Sequence, residues 1–428
     1  MQDIPMMKTR NTGRVFLWAV LGIIILSVFL VGLYPIFSLW YSENKGPYRG
    51  ITDVADLDGD GDLDVILGQT RWESESGSFA GISLWFNQGG GQFTPDDQDL
   101  PGGFSAAAGD VDRDGDADLT ILDGFTLAFL FNQGGVQGGK PGMFKTKDSP
   151  IALPVGPGHT DMGGTLLMGD LNNDGMLDGF IADCCYLDYE PDPAGLNSSS
   201  SSVMINAWDD ELSWLKTRIL PVPDLYAIPV RGAALGDLDG DGDLDVYAAV
   251  GTLNRGGSRG LADRMLLNDG TGNFTDSGHR LGDTGSSSVA LGDLDSDGDP
   301  DALVGTFDGA VVWINQGRAQ GGQAGKFVPS GQKITGNQIR FVFLADLDGD
   351  GDQDALIGGK KQATIWWNDG WGIFTRSDQH FHYSERHGLA VDDFDGDDTP
   401  DIFAGAYTDD YRVWFNQGDG TFRAGNPQ

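Results

Sequence analysis

The stretch Asp237-Leu238-Asp239-Gly240-Asp241-Gly242-Asp243-Leu244-Asp245, followed by an apolar run from Val246 to Val250, limits this chain more than any other feature, because a nine-residue unit of the same phase recurs seven times. The copies begin at Asp56, Asp110, Asp170, Asp237, Asp293, Asp346 and Asp393. One supersecondary unit repeated at a near-regular period has to stack its copies, since no single copy buries its own apolar face. Oxygens at loop positions one, three and five, a backbone carbonyl at seven and a carboxylate at nine can wrap a hard cation of calcium's size, which takes about six to eight oxygen ligands.

The ligand sets read from this phase are Asp56, Asp58, Asp60, Asp62 and Asp64 in the first loop, and Asp110, Asp112, Asp114, Asp116 and Asp118 in the second. The third holds Asp170, Asn172, Asp174, Met176 and Asp178, and the fourth Asp237, Asp239, Asp241, Asp243 and Asp245. Asp293, Asp295, Asp297, Asp299 and Asp301 form the fifth, and Asp346, Asp348, Asp350, Asp352 and Asp354 the sixth. Asp393, Asp395, Asp397, Thr399 and Asp401 complete the series. Position seven offers only its carbonyl, which is why Met176 and Thr399 qualify. Asn172 keeps an oxygen and removes a charge. Position six is glycine in six copies, where a positive φ is expected; the seventh has Asp398, a residue type that enters the left-handed region more readily than most, at some strain.

Carboxylates crowded within about 4 to 5 Å repel by roughly 1 kcal/mol per pair even at water's dielectric. An empty loop is therefore costly, and calcium, up to seven ions, is the expected cofactor. A helix-loop-helix calcium hand would carry glutamate at position twelve. Here that position holds Leu67, Ile121, Ile181, Ala248, Val304, Ile357 and Ala404, and the flanking apolar runs bounded by glycine read as strands.

With the motif seen as Asp293-Leu294-Asp295-Ser296-Asp297-Gly298-Asp299-Pro300-Asp301, the chain resembles the FG-GAP or VCBS repeats that build the seven-bladed β-propeller head of integrin α chains and many bacterial surface proteins. The resemblance covers roughly residues 49–424. It implies an all-β, seven-bladed propeller with calcium in its loops, and it specifies fold and metal far better than function.

Each repeat reads as four strands. The third is clearest, with three apolar residues before an asparagine, as in Val312-Trp313-Ile314-Asn315, which predicts burial on both faces. The tryptophans accordingly read as packing. Glycine turns follow the asparagines, except in the third repeat, where Asn206-Ala207-Trp208-Asp209-Asp210 replaces one. The last repeat has all four strands by Phe422, so the ring is expected to close by packing its first blade on its seventh. Insertions at residues 70–80, 183–202 and 252–263 fall on the face opposite the acidic loops and are expected to hold binding function. His380, His382 and His387 cluster in the link between the sixth and seventh repeats.

A length of 428 residues suggests two or three domains, but one propeller accounts for nearly all of it. The balance of 64 acidic against 27 basic residues, a formal net charge of −37, leaves nothing like the basic stripe that nucleic acid needs. Two adjacent cysteines, Cys184 and Cys185, exclude a disulfide framework. Residues 1–14 form a basic-flanked tail, expected to be cytoplasmic, and residues 15–34 are an uncharged run matching a bilayer's hydrocarbon core. A retained single-pass anchor, a linker at 35–48 and a periplasmic or extracellular propeller follow from that reading.

The functional expectation is a calcium-stabilised protein-binding or scaffolding subunit that meets another membrane or envelope protein. A glycan-binding or adhesion role is the alternative. An enzyme fits less well, since no nucleophile motif, haem-attachment motif or phosphate cradle occurs.

Overall fold

The computed structural model describes residues 51–425, apart from 74–76, 124–125, 136–137, 147–148, 154–163, 184–200, 210–213, 223–224, 226–227, 252–260, 318–324, 337, 384–387 and 406–410. The expected span at 15–34, Cys184, Cys185 and His387 lie outside the described residues. Among the described residues, no helix is long and apolar enough to cross a membrane.

Seven antiparallel sheets follow one another along the chain, each an up-and-down meander of four strands. The first strands are Ile51–Ala55, Ser105–Gly109, Gly164–Gly169, Val230–Gly236, Ser286–Gly292, Phe341–Ala345 and Gly388–Asp392. Each touches the first strand of the next sheet, and the last touches the first. The sheets are therefore blades radiating from one axis, a seven-bladed β-propeller. Blade two adds a short strand, Ile151–Ala152, beside its third strand.

The core is divided into slabs between blades. Leu303, Val312 and Ile314 of blade five pack with Val342, Ile357 and Phe374 of blade six, and equivalent clusters fill the other six seams. Closure needs no shared blade, because Gly388–Asp392, Asp401–Gly405, Tyr411–Asn416 and Phe422–Ala424 make a complete seventh sheet. Across the closing seam Phe93 meets Phe394, Phe403 and Tyr411 edge to face, with centroids 4.8–5.7 Å apart. Its N–H also donates to the Tyr411 hydroxyl. This fulfils the expectation of closure by packing.

Three expectations need correction. The strand buried on both faces is the second, not the third: Asp245–Val250, Asp301–Thr306 and Asp401–Gly405 are buried at every residue. In the third strands Phe131, Trp313, Trp367 and Trp414 are only half-buried, because these strands lie farther from the axis, where blades splay. The predicted loop at 70–80 is largely a hairpin, since Asp64–Glu73 and Gly77–Asn87 stay paired out to Glu73 opposite Gly77. His380 and His382 belong to the fourth strand of blade six, Phe374–His382, rather than to a link. They share its exposed face, and Phe381 between them is buried.

Candidate metal centres

Each acidic loop is the tight connection between the first and second strands of its blade. Position six has φ between 78° and 99° in its six glycine copies, and Asp398 adopts φ 66° in the seventh. Position four is also left-handed in every copy, including the non-glycine residues Arg113, Asn173 and Ser296 at φ 59–61°. The spacing of the carboxylates gave no sign of this second requirement.

Hydrogen bonds hold the turn. In all seven loops Oδ2 of the position-one aspartate accepts the position-six N–H at 2.7–3.1 Å. Oδ1 at position five accepts the position-seven N–H at 2.8–3.0 Å. The seventh loop makes both bonds despite Asp398, so its backbone matches the others.

The position-nine aspartates, Asp64, Asp118, Asp178, Asp245, Asp301, Asp354 and Asp401, are at most 1% exposed. Their Oδ2 atoms accept the N–H of position two at 2.8–3.2 Å. Their Oδ1 atoms accept the N–H of the third-strand asparagine at 2.7–2.8 Å. One carboxylate at the start of the second strand thus ties the acidic loop to the third strand of its blade. Burial pushes Asp64, Asp118 and Asp301 up to about 8, and Asp178, Asp245, Asp354 and Asp401 up to about 7, against the pull of those two N–H donors.

The donor set fits a hard cation. Oδ1 of the position-three aspartate is buried and accepts no hydrogen bond in Asp58, Asp112, Asp239 and Asp395. A buried anionic oxygen without a donor is unfavourable in an isolated protein, and here it recurs at one loop position in four blades. Ligand oxygens of Asp56, Asp58 and Asp64 lie within 4.8 Å of one another, as do those of Asp110, Asp112 and Asp118, Asp237, Asp239 and Asp245, Asp293, Asp295 and Asp297, and Asp346, Asp348 and Asp354. Positions one, three, five and nine with the position-seven carbonyl could hold calcium, whose charge would offset the repulsion among them.

A pH dependence follows. Each position-nine carboxyl titrates near 3.8 when exposed and higher when folded, so the metal-free fold favours its protonated form. That stabilisation is present below about pH 4 and is lost as pH rises through about 7 to 8. Calcium competes with the same protons. The calcium-free chain should melt at a higher temperature at pH 5 than at pH 8, while calcium affinity rises over that interval and binding releases protons. Calorimetry in buffers of differing ionisation enthalpy reads the proton release. A calcium affinity that is flat with pH contradicts this account.

The third-strand asparagines carry a function that their place at the end of an apolar run does not announce. While the backbone N–H serves its own blade, the side-chain amide of Asn87, Asn132, Asn268, Asn315, Asn368 and Asn416 donates at 2.8–2.9 Å to the position-two carbonyl of the preceding blade's loop. Asn87 reaches Phe394 in this way and so latches the closing seam. Asn206 departs, donating to Leu177 of its own blade and accepting from Thr217, in the blade that also lacks the glycine turn. Removing a latch leaves a buried carbonyl unsatisfied, at a cost of about 1–3 kcal/mol. Asn315→Ala should therefore lose roughly 2 kcal/mol in chemical denaturation and speed amide exchange in the loop of blade four. Asn206→Ala should leave blade two unchanged. Equal exchange in blade four of Asn315→Ala and the unaltered chain would remove the coupling.

Fold and loops together define a repeat propeller in which every blade carries an acidic turn. The FG-GAP-like repeat description matches residues 56–121, 237–304, 293–357 and 346–404, more than half of the chain, which therefore belongs to the FG-GAP-like repeat family. The third loop, with Asn172, lies outside these matches. No curated protein sequence matches the chain. Similar solved structures include a Lactobacillus plantarum protein, at 11% identity over 85% of this chain and 95% of that one with a TM-score of 0.48. An Agrocybe aegerita lectin that recognises non-reducing terminal N-acetylglucosamine has 17% identity over 90% and 80%, with a TM-score of 0.37. The V. cholerae biofilm matrix protein Bap1 has 10% identity over 85% of each chain, also with a TM-score of 0.37.

Proposed function

We propose that this chain is a calcium-stabilised, non-enzymatic scaffold whose propeller sits outside the cytoplasm, close over a membrane, and binds another membrane or envelope protein. The observation that carries this reading is the repeated loop, in which a donorless buried oxygen at position three lies beside a carboxylate already pinned at position nine. A loop chemistry repeated around the ring serves the frame. Recognition then falls to the surface that the frame presents.

The apolar run at 15–34 with its basic flank supports the anchor. The linker at 35–48, at about 3.4 Å per residue, would keep the ring within roughly 50 Å of the bilayer. The experiment is purification of the full chain in mild detergent with millimolar calcium. A stoichiometric partner protein is expected, and repeated recovery as a lone monomer counts against scaffolding. A glycan array probed with and without calcium reads the adhesion alternative directly.

A further inference from the structure

Four of the turns between third and fourth strands have one length, running from Asn87 to Phe93, Asn268 to Phe274, Asn368 to Phe374 and Asn416 to Phe422. All four flank their tip residue with glycines at positive φ, between 69° and 93°. The tips are Gly90, Thr271, Trp371 and Asp419, and the residues two further on are Gln92, Asn273, Ile373 and Thr421. The chain thus contains its own control: one backbone turn forms four times, and only blade six dresses it with large apolar side chains. Trp371 is 75% exposed and Ile373 42% exposed, so neither contributes what a core residue would.

The turn that carries them is fixed. Oδ1 of Asp369 accepts the N–H groups of Trp371 and Ile373 at 3.0 and 3.3 Å. A Cβ at Gly372 would meet Ile314 and Leu294, and one at Gly370 would meet the Asp352 carboxylate, so the turn is wedged between the acidic loops of blades five and six. On a backbone held in this way, an exposed tryptophan has only its two side-chain torsions left to order on binding, and this residue type is enriched among the residues that carry interface energy. Its surroundings are anionic, with Asp369 in the turn, Asp352 against it and a net charge of −37 on the chain. Cations stack favourably on an indole face.

We infer that Trp371 and Ile373 anchor a protein-docking surface on the acidic-loop face of blade six, for a partner that presents arginine or lysine beside an apolar side chain. This rests on the scaffold reading and names the class of partner. It also places docking on the face opposite the insertions. Recognition there combines a cation over Trp371, apolar contact with Ile373 and long-range attraction to the acidic loops, so affinity falls with added salt.

The test replaces the blade-six turn by that of blade four, with Trp371→Thr and Ile373→Asn together, a sequence that already folds in this chain. Labelled peptides alternating Arg and Leu, Glu and Leu, or Ser and Leu are titrated by fluorescence anisotropy against the full chain in detergent with millimolar calcium. The Arg-Leu peptide is expected to bind, to weaken about tenfold or more on the double variant, and to do so with the melting temperature unchanged. Equal binding to the variant, binding of the Glu-Leu or Ser-Leu peptide as tightly as Arg-Leu, or a lowered melting temperature overturns the proposal. So does a result in which the variant loses N-acetylglucosamine oligomers or phosphatidylglycerol vesicles while no peptide binds. A partner that co-purifies equally with chain and variant overturns this surface and leaves the scaffold reading standing; absence of any partner from the unaltered chain sinks that reading instead.

Discussion

Removing calcium from the full chain is expected to lower its melting temperature by at least about 15 °C, or to leave the propeller unfolded. A loop filled at about a hundred times its dissociation constant adds roughly 2.7 kcal/mol through mass action. Three such loops would contribute about 8 kcal/mol, comparable to the roughly 5–15 kcal/mol by which a domain is stable at all. At about 2 °C for each kcal/mol, that sets the expected drop. The physical source is local. With the metal gone, the donorless oxygens of Asp58, Asp112, Asp239 and Asp395 remain buried beside two or three further carboxylates. Scanning calorimetry in millimolar calcium, in EGTA and in EGTA followed by excess calcium reads the effect and its reversal. Magnesium should restore less than half of it, because it demands about six ligands in near-ideal octahedral geometry at shorter distance. An unchanged melting temperature in EGTA would show that the loops are decorative.

Much of this frame is visible in the amino-acid order, for a reason specific to repeats. A local loop needs its ligands at fixed offsets, so Asp293, Asp295, Asp297 and Asp301 stand in the sequence where they stand in space, and Gly298 marks the reversal between them. What lies between blades is not local. Asn315 reads as the end of an apolar strand, and nothing near it announces that its amide reaches Leu238 in the preceding blade. The left-handed backbone at position four is marked by glycine at Gly59, Gly240, Gly349 and Gly396 and masked in the copies where Arg113 and Ser296 occupy it, residues that rarely signal such a conformation. In the third strands, three apolar residues in a row imply two covered faces. A propeller widens outward, and half-exposed indoles at Trp313 and Trp414 fill that widening. Trp371 shares their residue type, and only its place at a turn tip separates it.

Replacing a position-nine aspartate should be the most damaging single change, and should be so even without calcium. In Asp301→Ala the N–H groups of Leu294 and Asn315 lose their acceptors at 2.9 and 2.7 Å inside a region closed to water, since Asp301 is 0% exposed. Two buried donors left unsatisfied cost about 1–3 kcal/mol each, which together predicts a loss of roughly 3–5 kcal/mol. The metal would lose a ligand as well, so the deficit should widen when calcium is present. Asp308→Ala, at an exposed aspartate in the next turn of the same blade, should change stability by less than about 0.5 kcal/mol. Urea unfolding of both variants, with and without calcium, separates the two roles of Asp301. If the alanine variant matches the parent in calcium-free buffer, the carboxylate serves only as a ligand, and the tie it makes between the loop and the third strand contributes nothing measurable. If the deficit appears in calcium-free buffer and grows with calcium, one side chain both builds the blade and closes the metal site, which would explain why the same residue type occupies position nine in every copy.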